Sequence, residues 1–213
     1  PRRNRVRQGR HGVPERLPGQ FFGKIVELQV VQAITNRGWT VTGLEALGAH
    51  ADVVALSPQN TLHSLEVKYI GQETGHFQIV LRALAGQPAA GVGSPYGAIN
   101  YLLFRVYEAA RRLQQSSTSR IAVIVIDALE WHAFEAQLED RWVRWDQPAF
   151  LAADGEWARF LQNQRARYPR VDTDLADVVR TLDRIWVLRM DSQYECALEY
   201  DERPAGAAAH RGR

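Results

Sequence analysis

The sequence predicts an α/β protein, a mixed β-sheet flanked by helices with a mostly helical C-terminal extension. Three stretches carry that prediction. In His50 to Ile70, the apolar runs ADVVAL and HSLEVKYI flank a polar SPQN turn, the pattern of a β-hairpin. Ala98 to Gln115 is an amphipathic helical segment, followed by SSTS and the apolar run Ile121 to Asp127. Strand, long helix and strand make a crossover unit. Pro18 to Arg37 repeats apolar residues at helical spacing.

Taken in order, residues 1–17 form a basic arm. Six arginines (Arg2, Arg3, Arg5, Arg7, Arg10 and Arg16) face one Glu15, a net +5 in a chain whose total is +2. Such an arm suits phosphate binding as well as it suits a solvated leader. The core is expected over 18–127. Its first helix has Phe22, Val26, Val30 and Ala33 or Ile34 on one face and Gly38 as its stop signal. Glu27 falls on the face of Val30, Val31 and Ile34, where a carboxylate needs a compensating partner or an outlet to solvent. Trp39 to Ala46 is a short strand candidate, with Glu45 assigned no role, and the hairpin follows.

HFQIVLRALAG, ending at Gly86, suits a short helix. His76 and Gln78 follow the hairpin closely, and no motif assigns them a role. Gly86 to Gly97 is a Gly- and Pro-rich loop, and without a Gly-Lys-Ser/Thr ending it is not a nucleotide-binding loop. On the next helix, Leu102, Val106, Ala109 and Leu113 suit the core. Arg105, Arg111 and Arg112 suit either solvent or phosphate. Ile121 to Asp127 reads as a strand covered on both faces, with Asp127 as an N-cap for the segment after it.

Residues 128–200 form an extension packed on the core, with helices near 155–166 and 174–184. A closing hairpin joins Trp186–Arg189 to Glu195–Tyr200. Trp142 and Trp145, beside Arg141 and Arg144, suit either core packing or base stacking. Residues 201–213 are a low-complexity tail, expected to be disordered.

The chemistry is written into the hairpin. Asp52 opens its first strand; on the second, Glu66 and Lys68 share a face with Leu62, Ser64 and Ile70. An acid and a base inside a central strand are costly to bury without partners. Two carboxylates so close repel unless a cation lies between them, and hard divalent cations take such oxygen ligands. Of the 26 basic residues, all but Lys24 and Lys68 are arginine. A lysine here therefore points to a compact ammonium with a movable pKa rather than to any positive charge.

Asp52, thirteen residues, then Glu66-Val67-Lys68 resembles the core motif of the PD-(D/E)XK nuclease superfamily, with Ala51 where that motif usually has proline. The resemblance covers about residues 18 to 127 and implies a restriction-endonuclease-like core. It also implies Mg²⁺ (or Mn²⁺) held by Asp52, Glu66 and the Val67 carbonyl. Glu27 would complete the ligands from the first helix, and Lys68 would orient or deprotonate the attacking water. The helix bearing Glu27, then NRGWTV, ADVVAL and LEVKY, is similar to archaeal-type Holliday junction resolvases. Those are shorter chains, usually dimers, and this chain continues well past Asp127.

The expected function is a metal-dependent nuclease hydrolysing DNA phosphodiesters, selective for branched DNA or of a restriction or defence type. Arg2, Arg3, Arg5, Arg7 and Arg10 would bind the backbone, and a homodimer is a further expectation. The alternatives are a non-cleaving nucleic-acid-binding or assembly module on the same fold, and a plain protein-interaction domain. The lone Cys196 excludes an internal disulfide and fits a reducing cytoplasm. No apolar run is long enough to span a membrane. His11, His50, His63, His76, His132 and His210 show no metal-ligand spacing.

Overall fold

The computed structural model describes residues 18–44, 50–71, 85–86, 95–139 and 162–204. The basic arm with its six arginines, Glu45, His76, Gln78, most of the Gly/Pro loop, Arg141, Arg144, Trp142, Trp145, Trp157 and residues 205–213 of the expected tail lie outside them. The tail expected to be disordered from residue 201 instead begins as strand, because Asp201 and Glu202 pair with Trp186 and Ile185 at the end of the sheet.

Helix α1 spans Pro18–Thr35 and buries Val26, Val30 and Ile34. It ends where the chain turns through Gly38 at φ +80°, a left-handed conformation that glycine adopts without penalty. Strand β1 (Thr40–Leu44) follows, then β2 (Val53–Leu56) and β3 (Leu62–Ile70). The β2–β3 turn closes with the Ser57 N–H donating to the Thr61 carbonyl at 2.9 Å, and Asn60 takes φ 59°. Helix α2 covers Pro95–Leu113 and β4 covers Ser119–Asp127.

Asp127 is the N-cap the sequence suggests. The Leu129 N–H donates to its Oδ1 at 2.9 Å, opening α3 (Ala128–Glu139). Residues 162–164 are helical, within the expected 155–166 helix. Helix α4 runs Val171–Val179, earlier than the expected 174–184. The reason is Asp183: its N–H donates to the Arg120 carbonyl and its carboxylate accepts from the Arg120 N–H. Those bonds tie the chain to the start of β4, so Arg184 already enters β5 (Arg184–Met190). β6 (Cys196–Glu202) returns antiparallel and completes the closing hairpin.

The strands form one six-stranded sheet in the order β1-β2-β3-β4-β5-β6. β3, β4 and β5 are mutually parallel and the other pairs antiparallel, so the sheet is mixed. The chain beyond Asp127 thus supplies helices and also the last two strands of the sheet. α1 covers one face, with Leu65, Val67, Val123 and Leu188 beneath it. α2, α3 and α4 cover the other, over Ile70, Ala122, Ile124, Ile126 and Val187. Leu102, Val106, Ala109 and Leu113 of α2 are fully buried there.

Candidate active site

Glu66 lies opposite Ala122 and Lys68 opposite Ile124 in the β3–β4 register, so both side chains point to the α2 face. Asp52 sits one residue before β2. Its N–H donates to the Leu65 carbonyl, and its Oδ2 accepts from the Val67 N–H at 2.7 Å. The antiparallel ladder thus fixes the first carboxylate beside the second. Glu66 is fully buried and Asp52 nearly so.

The compensation for these charges is visible. Lys68 Nζ donates to Glu66 Oε1 at 2.6 Å. Arg112, in the last turn of α2, places Nη1 at 3.2 Å from the same Oε1 and Nη2 at 3.6 Å from Asp52 Oδ1. The guanidinium therefore lies between the two carboxylates. Glu66 Oε2 is buried without a hydrogen-bond partner. Burial pushes the Glu66 carboxyl up to about 7, with Asp52 adding to the rise and Lys68 and Arg112 opposing it.

Asp52, Glu66, Val67 and Lys68 are brought together. Glu27 is not brought to them. It lies on α1, beside Val26 on the helix that covers the opposite face of the sheet, and Lys24 Nζ meets its Oε2 at 2.7 Å. Among the described residues no three His, Cys, Asp or Glu side chains form a group that could hold a metal ion. A Mg²⁺ site here would rest on two carboxylates, a backbone carbonyl and water. That donor set is ordinary for Mg²⁺, which usually keeps several waters and one or two carboxylates. The unpartnered Glu66 Oε2 and Asp52 Oδ1 are hard oxygen donors of the right kind, so the residues fit the ion.

The sequence did not single out Arg112 from its neighbours. Arg105 pairs with Glu108 at 2.7 Å and with the Tyr101 hydroxyl, and Arg111 with Asp174 at 3.3 Å. The signal was the unmet need itself: two buried carboxylates on a face that a crossover helix must cover. Two further groupings were unforeseen. The Tyr69 hydroxyl donates to Asp127 Oδ2 at 2.9 Å, joining the ends of β3 and β4. Gly71 leaves room for that ring, since a Cβ there would collide with the Tyr69 hydroxyl. At the other end, Ser64, Ser116 and Thr118 share hydroxyl hydrogen bonds of 2.7–2.9 Å.

No known family model matches the chain, and no curated protein matches it. Among solved structures it is similar to an XisH family protein from Nostoc punctiforme, at 14% identity and TM-score 0.31, over 81% of this chain and 96% of that one. It is likewise similar to an FdxN element excision controlling factor protein from Anabaena variabilis, at 14% identity and TM-score 0.32, over 82% and 96%. At that level the likeness carries no argument about chemistry. Among the described residues, no helix is long and apolar enough to cross a membrane.

Proposed function

We propose that the protein is a metal-dependent nuclease that hydrolyses DNA phosphodiester bonds at the Asp52–Glu66–Lys68 cluster. The observation that carries this reading is the convergence of two buried carboxylates and an ammonium on one sheet face, at a strand pairing that holds them in register. A sheet strand covered by a helix gains nothing in packing from such residues.

Asp52 Oδ1, Glu66 and the Val67 carbonyl would hold Mg²⁺ or Mn²⁺. When bound, the cation would supply positive charge to the phosphate and activate water for attack. Lys68 is held by Glu66 with about a fifth of its side chain exposed. From there its ammonium would orient or deprotonate the attacking water, or offset charge developing on the phosphate. Water adds to phosphorus, the P–O bond to one nucleoside breaks, and the leaving oxygen takes a proton. The arginines of the first ten residues would bind the backbone without sequence preference. The preferred substrate, branched or linear, is left to experiment.

A cleavage panel tests this reading. Labelled linear duplex, single strand, flap and four-way junction DNA, with RNA alongside, would be incubated with the protein in Mg²⁺, Mn²⁺ or EDTA. Cutting that needs the metal and is lost in Lys68→Ala and Asp52→Asn is the expected result. Cutting by Asp52→Asn at the wild-type rate would sink the metal assignment. Binding on every substrate without cutting would favour the non-cleaving module, a reading consistent with carboxylates already neutralised by Lys68 and Arg112.

A further inference from the structure

We infer that the Arg112 guanidinium and a divalent cation are alternative occupants of one position between Asp52 and Glu66, so that release of Arg112 gates metal loading. This rests on the metal-dependent reading above and adds to it a control built into α2.

The geometry is direct. Arg112 reaches Glu66 Oε1 with one nitrogen and Asp52 Oδ1 with the other. A divalent cation held by Asp52 and Glu66 would draw on the same carboxylates, Asp52 Oδ1 among their oxygens, that Arg112 now engages. A planar guanidinium and a hydrated ion cannot both fill that gap. Charge points the same way. With both carboxylates ionised, Asp52, Glu66, Lys68 and Arg112 sum to zero, so with Arg112 in place an incoming dication meets no net attraction. With Arg112 withdrawn the cluster carries one negative charge and draws the cation in.

Arg112 is also placed to leave. Its side chain is 38% exposed, against 0% for Glu66. It lies in the last turn of α2, while the next residue, Leu113, is fully buried and anchors the helix end.

The test is Mn²⁺ binding by calorimetry, with the melting shift on adding Mn²⁺ as a second readout, on wild type, Arg112→Ala, Arg111→Ala and Asp52→Asn. Arg111 pairs with Asp174 and removes the same charge one residue away without touching the carboxylate pair. Arg112→Ala is expected to bind Mn²⁺ at least about tenfold more tightly than wild type, and Arg111→Ala within about twofold of it. Mn²⁺ binding in Arg112→Ala alone, lost again on adding Asp52→Asn, would support the gate in its strongest form. Equal affinity in wild type and Arg112→Ala, with binding lost in Asp52→Asn, would overturn the gate and leave the metal site standing. Equal tightening in Arg111→Ala would also overturn it, because remote charge would then be the cause. No Mn²⁺ binding in any folded variant would overturn the metal reading and the gate with it. Should Arg112→Ala not fold, Arg112→Gln keeps a polar but uncharged and shorter side chain and carries the same expectations.

Discussion

β3 and β4 are adjacent parallel strands of nine residues each, and they are built to different ends. β4 is apolar and buried on both faces from Ile121 to Ile126. β3 alternates: toward α1 it carries Leu65 and Val67, and toward α2 it carries Ser64, Glu66 and Lys68. Opposite Glu66 and Lys68, β4 offers Ala122 and Ile124, neither able to accept or donate a hydrogen bond through its side chain. The compensation for Glu66 therefore comes from Lys68 on its own strand and from Arg112 on the helix above. The lesson is that a central strand can carry charge when its own periodicity and the covering helix supply the partners. Its neighbour meanwhile supplies the hydrophobic stability.

That contrast predicts opposite outcomes for two substitutions on the same face. Glu66→Gln removes a metal ligand while keeping the shape. It should lower metal-dependent cleavage by about 100-fold or more. Its urea-unfolding free energy in metal-free buffer should stay within about 1 kcal/mol of wild type, because burial already disfavours the charged carboxyl that the amide replaces and the remaining Lys68 and Arg112 reach solvent. Ile124→Ala should do the reverse. Deleting a fully buried side chain from the strand should cost about 2–5 kcal/mol, with cleavage per folded molecule largely kept. Should Glu66→Gln unfold the protein and Ile124→Ala abolish cleavage in folded protein, the division of labour between the strands is wrong.

The α1 face of β3 gives a smaller, pH-dependent contrast. The His63 ring packs against Trp39 with centroids 4.9 Å apart, and its buried Nδ1 has no hydrogen-bond partner. Burial holds His63 below the ordinary histidine range, with Asp183 opposing and Arg184 adding to the effect. The unfolded chain therefore takes up the proton more readily than the folded one. The stability this residue contributes is present above about pH 6.5 and is lost as pH falls toward the lower folded value. His63→Phe should match wild type more closely at pH 8 than at pH 5, where the variant should be the more stable. Parallel stability curves for the two proteins from pH 8 to pH 5 would show that His63 carries none of the acid-side loss.

Much of this was legible in the sequence. Helical spacing, the SPQN turn and the apolar run of β4 gave the order of elements, because each rests on local periodicity. Alternation in β3 placed Glu66 and Lys68 on one face, and Asp52 followed from the hairpin. The partner of the carboxylates was not legible. Arg105, Arg111 and Arg112 lie within two turns of each other, and only the docking of α2 decides that Arg112 alone bridges Asp52 and Glu66. The extent of the sheet was hidden as well. β5 pairs with β4 across a long intervening segment, so a stretch read as a closing hairpin on an extension supplies two strands of the main sheet. Long-range pairing leaves little trace in local pattern.

Glu27 sharpens the comparison from the other side of the sheet. Its apolar neighbours on α1, together with the superfamily resemblance, suggested a third metal ligand. But α1 covers the face that Leu65 and Val67 line, while Glu66 and Lys68 face α2. Glu27 instead meets Lys24 one helical turn earlier, in a pair with side-chain exposures of 19% and 54%. Pairs of that kind contribute at most about 1 kcal/mol. Glu27→Gln should therefore leave Mn²⁺ affinity and cleavage within about threefold of wild type and stability within about 0.5 kcal/mol. Calorimetry beside the cleavage assay decides it. A loss of Mn²⁺ binding as deep as that in Glu66→Gln would place Glu27 among the ligands and require α1 to reach the opposite side of β3 when the cation is held.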